Sequence, residues 1–217
     1  MRRNGLSLFF ALLFVLALIG QALSGHADFN DRQLSDGLQT VSLGRYLTSS
    51  SFAVDVAENW QSEYLQFLLF ITATVWLVQR GSPESKQLDK AGRESDEEQK
   101  VDEPDAPSWA RAGGLRRAVY SHSLSLTMGS IFLLSWLGQS VAGVVAYNSE
   151  QLRSREDPVT WAGYLITPEF WNRTFQNWQS ELLAVLSMVV LAVYLRERGS
   201  PESKPVGSPH TATGVEG

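Results

Sequence analysis

The chain has 217 residues, 44% of them hydrophobic, with 18 Lys and Arg against 23 Asp and Glu and a formal net charge of -5. It contains no cysteine, which excludes disulfides, zinc thiolates, iron–sulfur clusters and covalently attached haem. No basic face or aromatic stacking platform points to nucleic acid, and the apolar residues are gathered into blocks with the charges between them, as in a membrane protein.

The first block, Leu6 to Ser24, carries no charge. Its roughly 19 residues, at about 1.5 Å each, nearly cross a hydrocarbon core of about 30 Å and predict a helix over about 6–24. Arg2-Arg3 before it and Ala22-Leu23-Ser24 within it also have the order of a secretory signal peptide. A counterpart stands mid-chain around Leu126 to Gly143, where no such peptide would begin, so the first helix is expected to be retained. An outer segment, 25–58, follows. The next block, Leu65 to Val78, is only about 14 residues and spans only if its helix starts near Asn59, giving 59–79. Segment 87–117, acidic from Glu94 to Asp105, has nothing to bury and is expected to be a disordered linker. Further helices are predicted at about 124–146 and 177–196, separated by an outer segment, 147–176. The tail 205–217, rich in Gly, Pro, Ser and Thr, is expected to lack structure.

The second half repeats the first at an offset of 118 residues. Asn59-Trp60-Gln61-Ser62-Glu63 recurs as Asn177-Trp178-Gln179-Ser180-Glu181, and Arg80-Gly81-Ser82-Pro83-Glu84-Ser85-Lys86 as Arg198-Gly199-Ser200-Pro201-Glu202-Ser203-Lys204. Residues 1–86 and 118–204 are therefore two copies of one unit. The fold class that follows is all-α and integral to the membrane, with four transmembrane helices as two parallel-repeat hairpins. Thirteen Lys and Arg lie in the amino end, the central segment 80–118 and the carboxyl tail, against five in the outer segments, which puts both termini in the cytoplasm. Two spans per copy make the copies related by an axis along the membrane normal, so alternating access built on inverted repeats is not supported.

Gln21 and Glu63 both fall about 22 Å from the cytoplasmic ends of their helices. With Gln139, Glu181, Asn59 and Asn177 they form a candidate polar layer near the outer face. Held near lipid, a carboxylate pair could bind a cation or proton. The competing reading is local: Asn59 and Asn177 cap helices, the glutamates face positive dipole ends, and the glutamines bond across helix pairs. Only Thr72 and Thr74 continue the layer inward, and their counterparts Val190 and Ala192 are apolar. Gly20 and Ser24, like Gly138 and Ala142, are four apart and suit close helix packing; these seams are expected to face each other.

In the repeated heptapeptide, Gly81 and Gly199 suit left-handed caps after the last helical residue, and Pro83 and Pro201 stop the helix. That leaves the identity of Glu-Ser-Lys unexplained, which makes Arg80, Ser82, Glu84, Lys86, Arg198, Ser200, Glu202 and Lys204 candidates for cytoplasmic docking, with Ser82 and Ser200 as modification sites. The outer segments share Tyr46 with Tyr164, Phe52 with Phe170 and Trp60 with Trp178. These read as an interfacial belt, or as a short amphipathic helix over about 52–60 lying on the outer leaflet. No nucleophile elbow, phosphate loop or His-Glu-x-x-His occurs, and His26, His122 and His210 are scattered, so neither an enzyme, a metal site nor a cofactor is expected.

The stretches Asn-Trp-Gln-Ser-Glu-Tyr-Leu-Gln-Phe, Ala-Thr-Val-Trp-Leu-Val-Gln-Arg-Gly-Ser-Pro-Glu-Ser-Lys and the acidic linker resemble an uncharacterised bacterial membrane-protein family, a domain of unknown function. The resemblance implies membrane residence and brings no substrate or catalytic residue. The expected function is that of a multi-pass inner-membrane structural or accessory protein. Its partners would be the bilayer and either a second copy or a cytoplasmic protein. The alternative is a small transporter, channel or headgroup-binding protein built on the polar layer.

Overall fold

The computed structural model describes residues 2–215; Met1, at the head of the first copy, and Glu216 and Gly217, at the end of the tail, lie outside them. Among the described residues the secondary structure is helical, with no strand. The helices are α1 (Gly5–Ser35), α2 (Leu43–Leu47), α3 (Ser50–Ala73), α4 (Ser108–Arg111), α5 (Gly114–Ser121), α6 (Ser123–Arg153), α7 (Trp161–Leu165) and α8 (Pro168–Tyr194), with 3-10 turns at Arg2–Asn4 and Leu88–Lys90.

Three helices, α1, α6 and α8, are long and apolar enough to cross a membrane. The fourth expected span, α3, is not among them. It starts at Ser50 rather than near Asn59 and stops at Ala73, so Asp55, Glu58, Asn59, Gln61, Ser62 and Glu63 all precede its apolar end. The apolar stretch left after Gln66 is by itself shorter than a crossing, so α3 spans only if its polar turns before it enter the membrane edge. Residues 52–60 are accordingly the first turns of α3, not a separate helix on the leaflet.

The carboxyl ends of α1 and α6 run well past the predicted 24 and 146. No proline interrupts them, and polar residues are tolerated in a helix once it leaves the apolar stretch; Arg32 and Asp28, one turn apart, pair at 2.7 Å. Both helices end in the same device. Gly37 takes φ 72° and Arg155 takes φ 61°, while Leu38 N–H donates to Gln33 O at 2.8 Å and Glu156 N–H to Gln151 O at 2.7 Å. A left-handed residue followed by this long return bond satisfies carbonyls that the helix end leaves open. The copies differ only in that one uses glycine and the other arginine.

The chain divides into two compact units, Met1–Ala57 with Leu137–Phe170, and Glu58–Trp136 with Trp171–Gly217; α3, α6 and α8 contribute residues to both. In the first unit, Asn30 Nδ2 donates to Val41 O at 3.1 Å and its Oδ1 accepts from Val41 N at 2.8 Å. Asn148 repeats this with Val159, 118 residues on, both bonds at 2.8 Å. Ser42 and Thr160 cap α2 and α7 by accepting from the N–H three residues later. Tyr46, Val54, Tyr164 and Phe170 are the buried apolar residues of this unit. The tyrosines lie against Gly25 and Gly143, where an added Cβ would meet their hydroxyls at 2.3 and 2.5 Å. Of the aromatics expected as an interfacial belt, Tyr46 and Tyr164 are thus core here, because the connections they sit on fold back over glycines; Phe170 is buried too, while Trp60 stays 40% exposed. Small-residue packing also differs from expectation: nothing lies within 4 Å of a Cβ at Gly20, and Gly138 faces Ala57, so the two seams do not meet.

In the second unit α4 packs on α5, with Ala110 and Val101 buried. Glu58 and Arg173 form an ion pair at 2.6 Å. Trp178 Nε1 donates to Oε1 of fully buried Gln61 at 2.7 Å, and the Trp178 ring joins Phe132, Trp136 and Phe175 in one aromatic cluster. The linker and the described part of the tail lie in turns rather than long helices.

Candidate functional site

The six residues of the polar layer divide between the units. Gln21, half-buried, and Gln139, fully buried, belong to the first; Asn59, Glu63, Asn177 and Glu181 belong to the second. Glu63 is exposed and Glu181 half-buried. Asn177 is occupied: its Nδ2 donates to Arg173 O at 2.9 Å, and its own carbonyl accepts from Ser180 Oγ at 2.9 Å. The matching carbonyl of Asn59 accepts from Ser62 Oγ at 2.8 Å. Neither asparagine caps a helix start, since α3 and α8 begin earlier; there Ser49 and Thr167 accept from Phe52 N–H and Phe170 N–H. Thr72 and Thr74 hydroxyls donate back to Leu68 and Phe70 carbonyls of their own helix.

The repeated heptapeptide forms a built loop in each copy. Gly81 and Gly199 have φ 86° and 83°, left-handed as expected, but they stand in turns beyond helices that end at Ala73 and Tyr194. Serine explains part of the repeated Glu-Ser-Lys: Ser85 Oγ accepts from Gln79 N–H and Ser203 Oγ from Glu197 N–H, each at 2.9 Å. Ser82 and Ser200 hydroxyls likewise accept from Glu84 and Glu202 N–H at 3.3 Å. Ser82 is buried and Ser200 half-buried; Arg80, Arg198 and Glu202 are exposed, while Glu84 and Lys86 are half-buried.

The two lysines do different work. Lys86 bonds Gly92 O at 3.1 Å and pairs with Glu94 at 2.7 Å. Hydrogen bonds from Lys86 and Gln99, with the Lys86 charge, hold the Glu94 carboxyl below its ordinary range. Lys204 is 1% exposed, and its ammonium donates to Gly81 O at 2.6 Å, His210 O at 3.0 Å, Ala212 O at 3.3 Å and Pro209 O at 3.4 Å. Burial, then the charge of Arg196, draws the Lys204 pKa down from that of an ordinary lysine; the carbonyl dipoles pull the other way. The tail closes the cage: Gly81 N–H donates to Thr213 Oγ1 at 2.9 Å and Gly214 N–H to Ser82 O at 3.0 Å. Only glycine fits at 81, because a Cβ would lie 2.2 Å from His210 O. Beside this loop is a cavity of about 220 Å³, lined by Phe70, Thr74, Val78, Gln79, Glu84 and Val189. Among the described residues no group of three or more metal-ligating side chains converges.

Sequence reading missed the Asn30 and Asn148 brackets, although both asparagines and both partner valines match at the repeat offset. It also missed Glu58–Arg173 and Gln61–Trp178, which carry no such signal because they join residues at unmatched positions of the two copies.

The family model described as a domain of unknown function, DUF6766, matches residues 1–215. The chain belongs to this family. Comparison of this DUF6766 member with curated proteins and with solved structures gives no match.

Proposed function

We propose that this protein is a multi-pass resident of the bacterial inner membrane with both termini cytoplasmic, serving as a structural or accessory protein rather than an enzyme. In this reading α3 is a fourth crossing, and the copies form parallel hairpins related by an axis along the membrane normal. Recurrence of local hydrogen bonds 118 residues apart supports the two-copy arrangement. The observation that carries the accessory role is α1. No residue of its most apolar stretch is buried, and Gly20 faces open space. Such a helix can let another backbone approach closely in lipid, which suits a second copy or a partner's helix. Cytoplasmic docking on the repeated heptapeptides falls to Arg80, Arg198 and Glu202, since Ser82 and Lys204 are buried.

The recurrence of a carboxylate at matching positions of α3 and α8, Glu63 and Glu181, favours a second reading, a small transporter, channel or lipid-headgroup-binding protein. The inward-lying threonine hydroxyls count against it, since both are already bonded to their own helix. Proton and cation flux is measured in liposomes holding the purified protein and, in parallel, its Glu63→Gln, Glu181→Gln variant. No flux is expected from either. Flux from the wild type without any partner overturns the accessory role, and its loss in the variant establishes the second reading.

A further inference from the structure

The short helix α5 precedes α6 with only His122 between them. At His122 the backbone leaves the helical region, φ -113° and ψ 10°, so α5 is not a simple extension of the long helix. Positions 115, 118 and 119 share one face at helical spacing, with 117 opposite. That face is open: Leu115 is 80% exposed and Val119 39%. Trp109, on the neighbouring α4, is 51% exposed.

The opposite side is tied down. Arg117 Nε donates to Ala110 O at 2.7 Å, and its guanidinium pairs with Asp96 at 2.6 Å and Asp102 at 3.7 Å. A further acidic residue, Glu94, is held by Lys86. Arg117 therefore gathers linker carboxylates on the side away from Leu115 and Val119. Arg111 and Arg116 make no ion pair among the described residues. An apolar face, unpaired arginines and acids withdrawn to the far side are the pattern of a helix lying in a membrane interface.

We propose that α5, with Trp109 and Arg111 of α4, lies in the headgroup layer of the leaflet where α6 begins and binds anionic phospholipid through Arg111 and Arg116. The inference rests on α6 being a membrane span but not on which side its amino end faces. Anionic headgroups are the occupant because the free charges are guanidiniums, which pair with phosphate in two-pronged fashion and are drawn to a negatively charged surface. The apolar side chains beside them reach the acyl boundary.

The absence of cysteine allows a direct test in the full-length protein. Single-cysteine variants Leu115→Cys, Ser121→Cys and Leu133→Cys are labelled with an environment-sensitive dye. They are placed in vesicles of phosphatidylcholine alone or mixed with phosphatidylglycerol, and read by brominated-lipid and iodide quenching. The proposal expects lipid quenching at position 115 to rise about twofold or more with phosphatidylglycerol. Arg111→Gln with Arg116→Gln removes that rise, while position 121 remains open to iodide. Equal shielding of position 115 in both vesicle types, or iodide access there as free as at 121, overturns it. Position 133 lies within α6, so loss of lipid quenching there means that α6 does not span and the membrane reading itself fails; lipid quenching at 133 but not at 115 refutes the interfacial helix alone.

Discussion

Replacing Lys204 by Met keeps the apolar stem and removes the ammonium from its four carbonyls. Three protons serve four acceptors, so the contacts at 3.3 and 3.4 Å share one, and the bonds to Gly81 O at 2.6 Å and His210 O at 3.0 Å dominate. Two charge-assisted bonds contribute roughly 1.5–3 kcal/mol each, offset by the several kcal/mol that burying an ammonium costs. A net loss of about 2 kcal/mol in tail docking follows, which is roughly a 30-fold larger open population. Hydrogen exchange reads this locally through Gly81 N–H, bonded to Thr213, and Gly214 N–H, bonded to Ser82. Peptides covering 79–86 and 208–215 should exchange about 30-fold faster, with α1, α6 and α8 unchanged. Lys86→Met is the control, because its ammonium bonds Gly92 and Glu94 rather than the tail. Unchanged protection of Gly81 and Gly214 in Lys204→Met would refute the cage as the tail's anchor.

Other perturbations test the two units separately. Gly25→Ala and Gly143→Ala each drive a methyl into a tyrosine, costing about 1–3 kcal/mol against the helix-propensity gain of about 1 kcal/mol. In thermal unfolding Tyr46→Phe should rescue Gly25→Ala, whose next contact is 3.2 Å; Tyr164→Phe should not rescue Gly143→Ala, where ring carbons remain at 2.8 and 2.9 Å. Trp178→Phe leaves the buried Gln61 Oε1 without its donor and should destabilise by about 1–3 kcal/mol, seen as a lowered unfolding midpoint in detergent. Because Glu94's folded carboxyl titrates below its ordinary 4.5, the Lys86–Glu94 clasp is at full strength above that value and is lost as pH falls through the lowered one. Its contribution is under about 1 kcal/mol, as for solvent-exposed pairs. In Lys86→Met, the Glu94 titration followed by NMR should move back toward 4.5.

The repeat makes much of this protein legible in its sequence. Gly81 and Gly199 were readable as left-handed positions because glycine before Ser-Pro has few other reasons to recur. The uncharged run from Leu6 was readable as a membrane-length helix from its size alone. Helix ends were not, because Asn59 looks like a cap until Ser49 takes that place about three turns earlier, at the start of the same helix. Tyr46 and Tyr164 looked interfacial because composition cannot distinguish a ring facing lipid from one folded over Gly25 or Gly143. In the heptapeptide, the hydroxyls of Ser85 and Ser203 close loops whose partners lie six residues back, a bond that no periodicity announces.

Local chemistry written in the order of residues therefore determined the helical class, the membrane-length runs, the duplication and the turns. Tertiary structure alone decided which member of each matched pair does what: Lys204 enters a carbonyl cage while Lys86 meets a carboxylate, and Trp178 reaches Gln61. The reason is physical. Backbone conformation and helix length follow from side chains acting on their neighbours, whereas burial and hydrogen-bond partners depend on what distant segments bring alongside, and duplicated residues meet different surroundings.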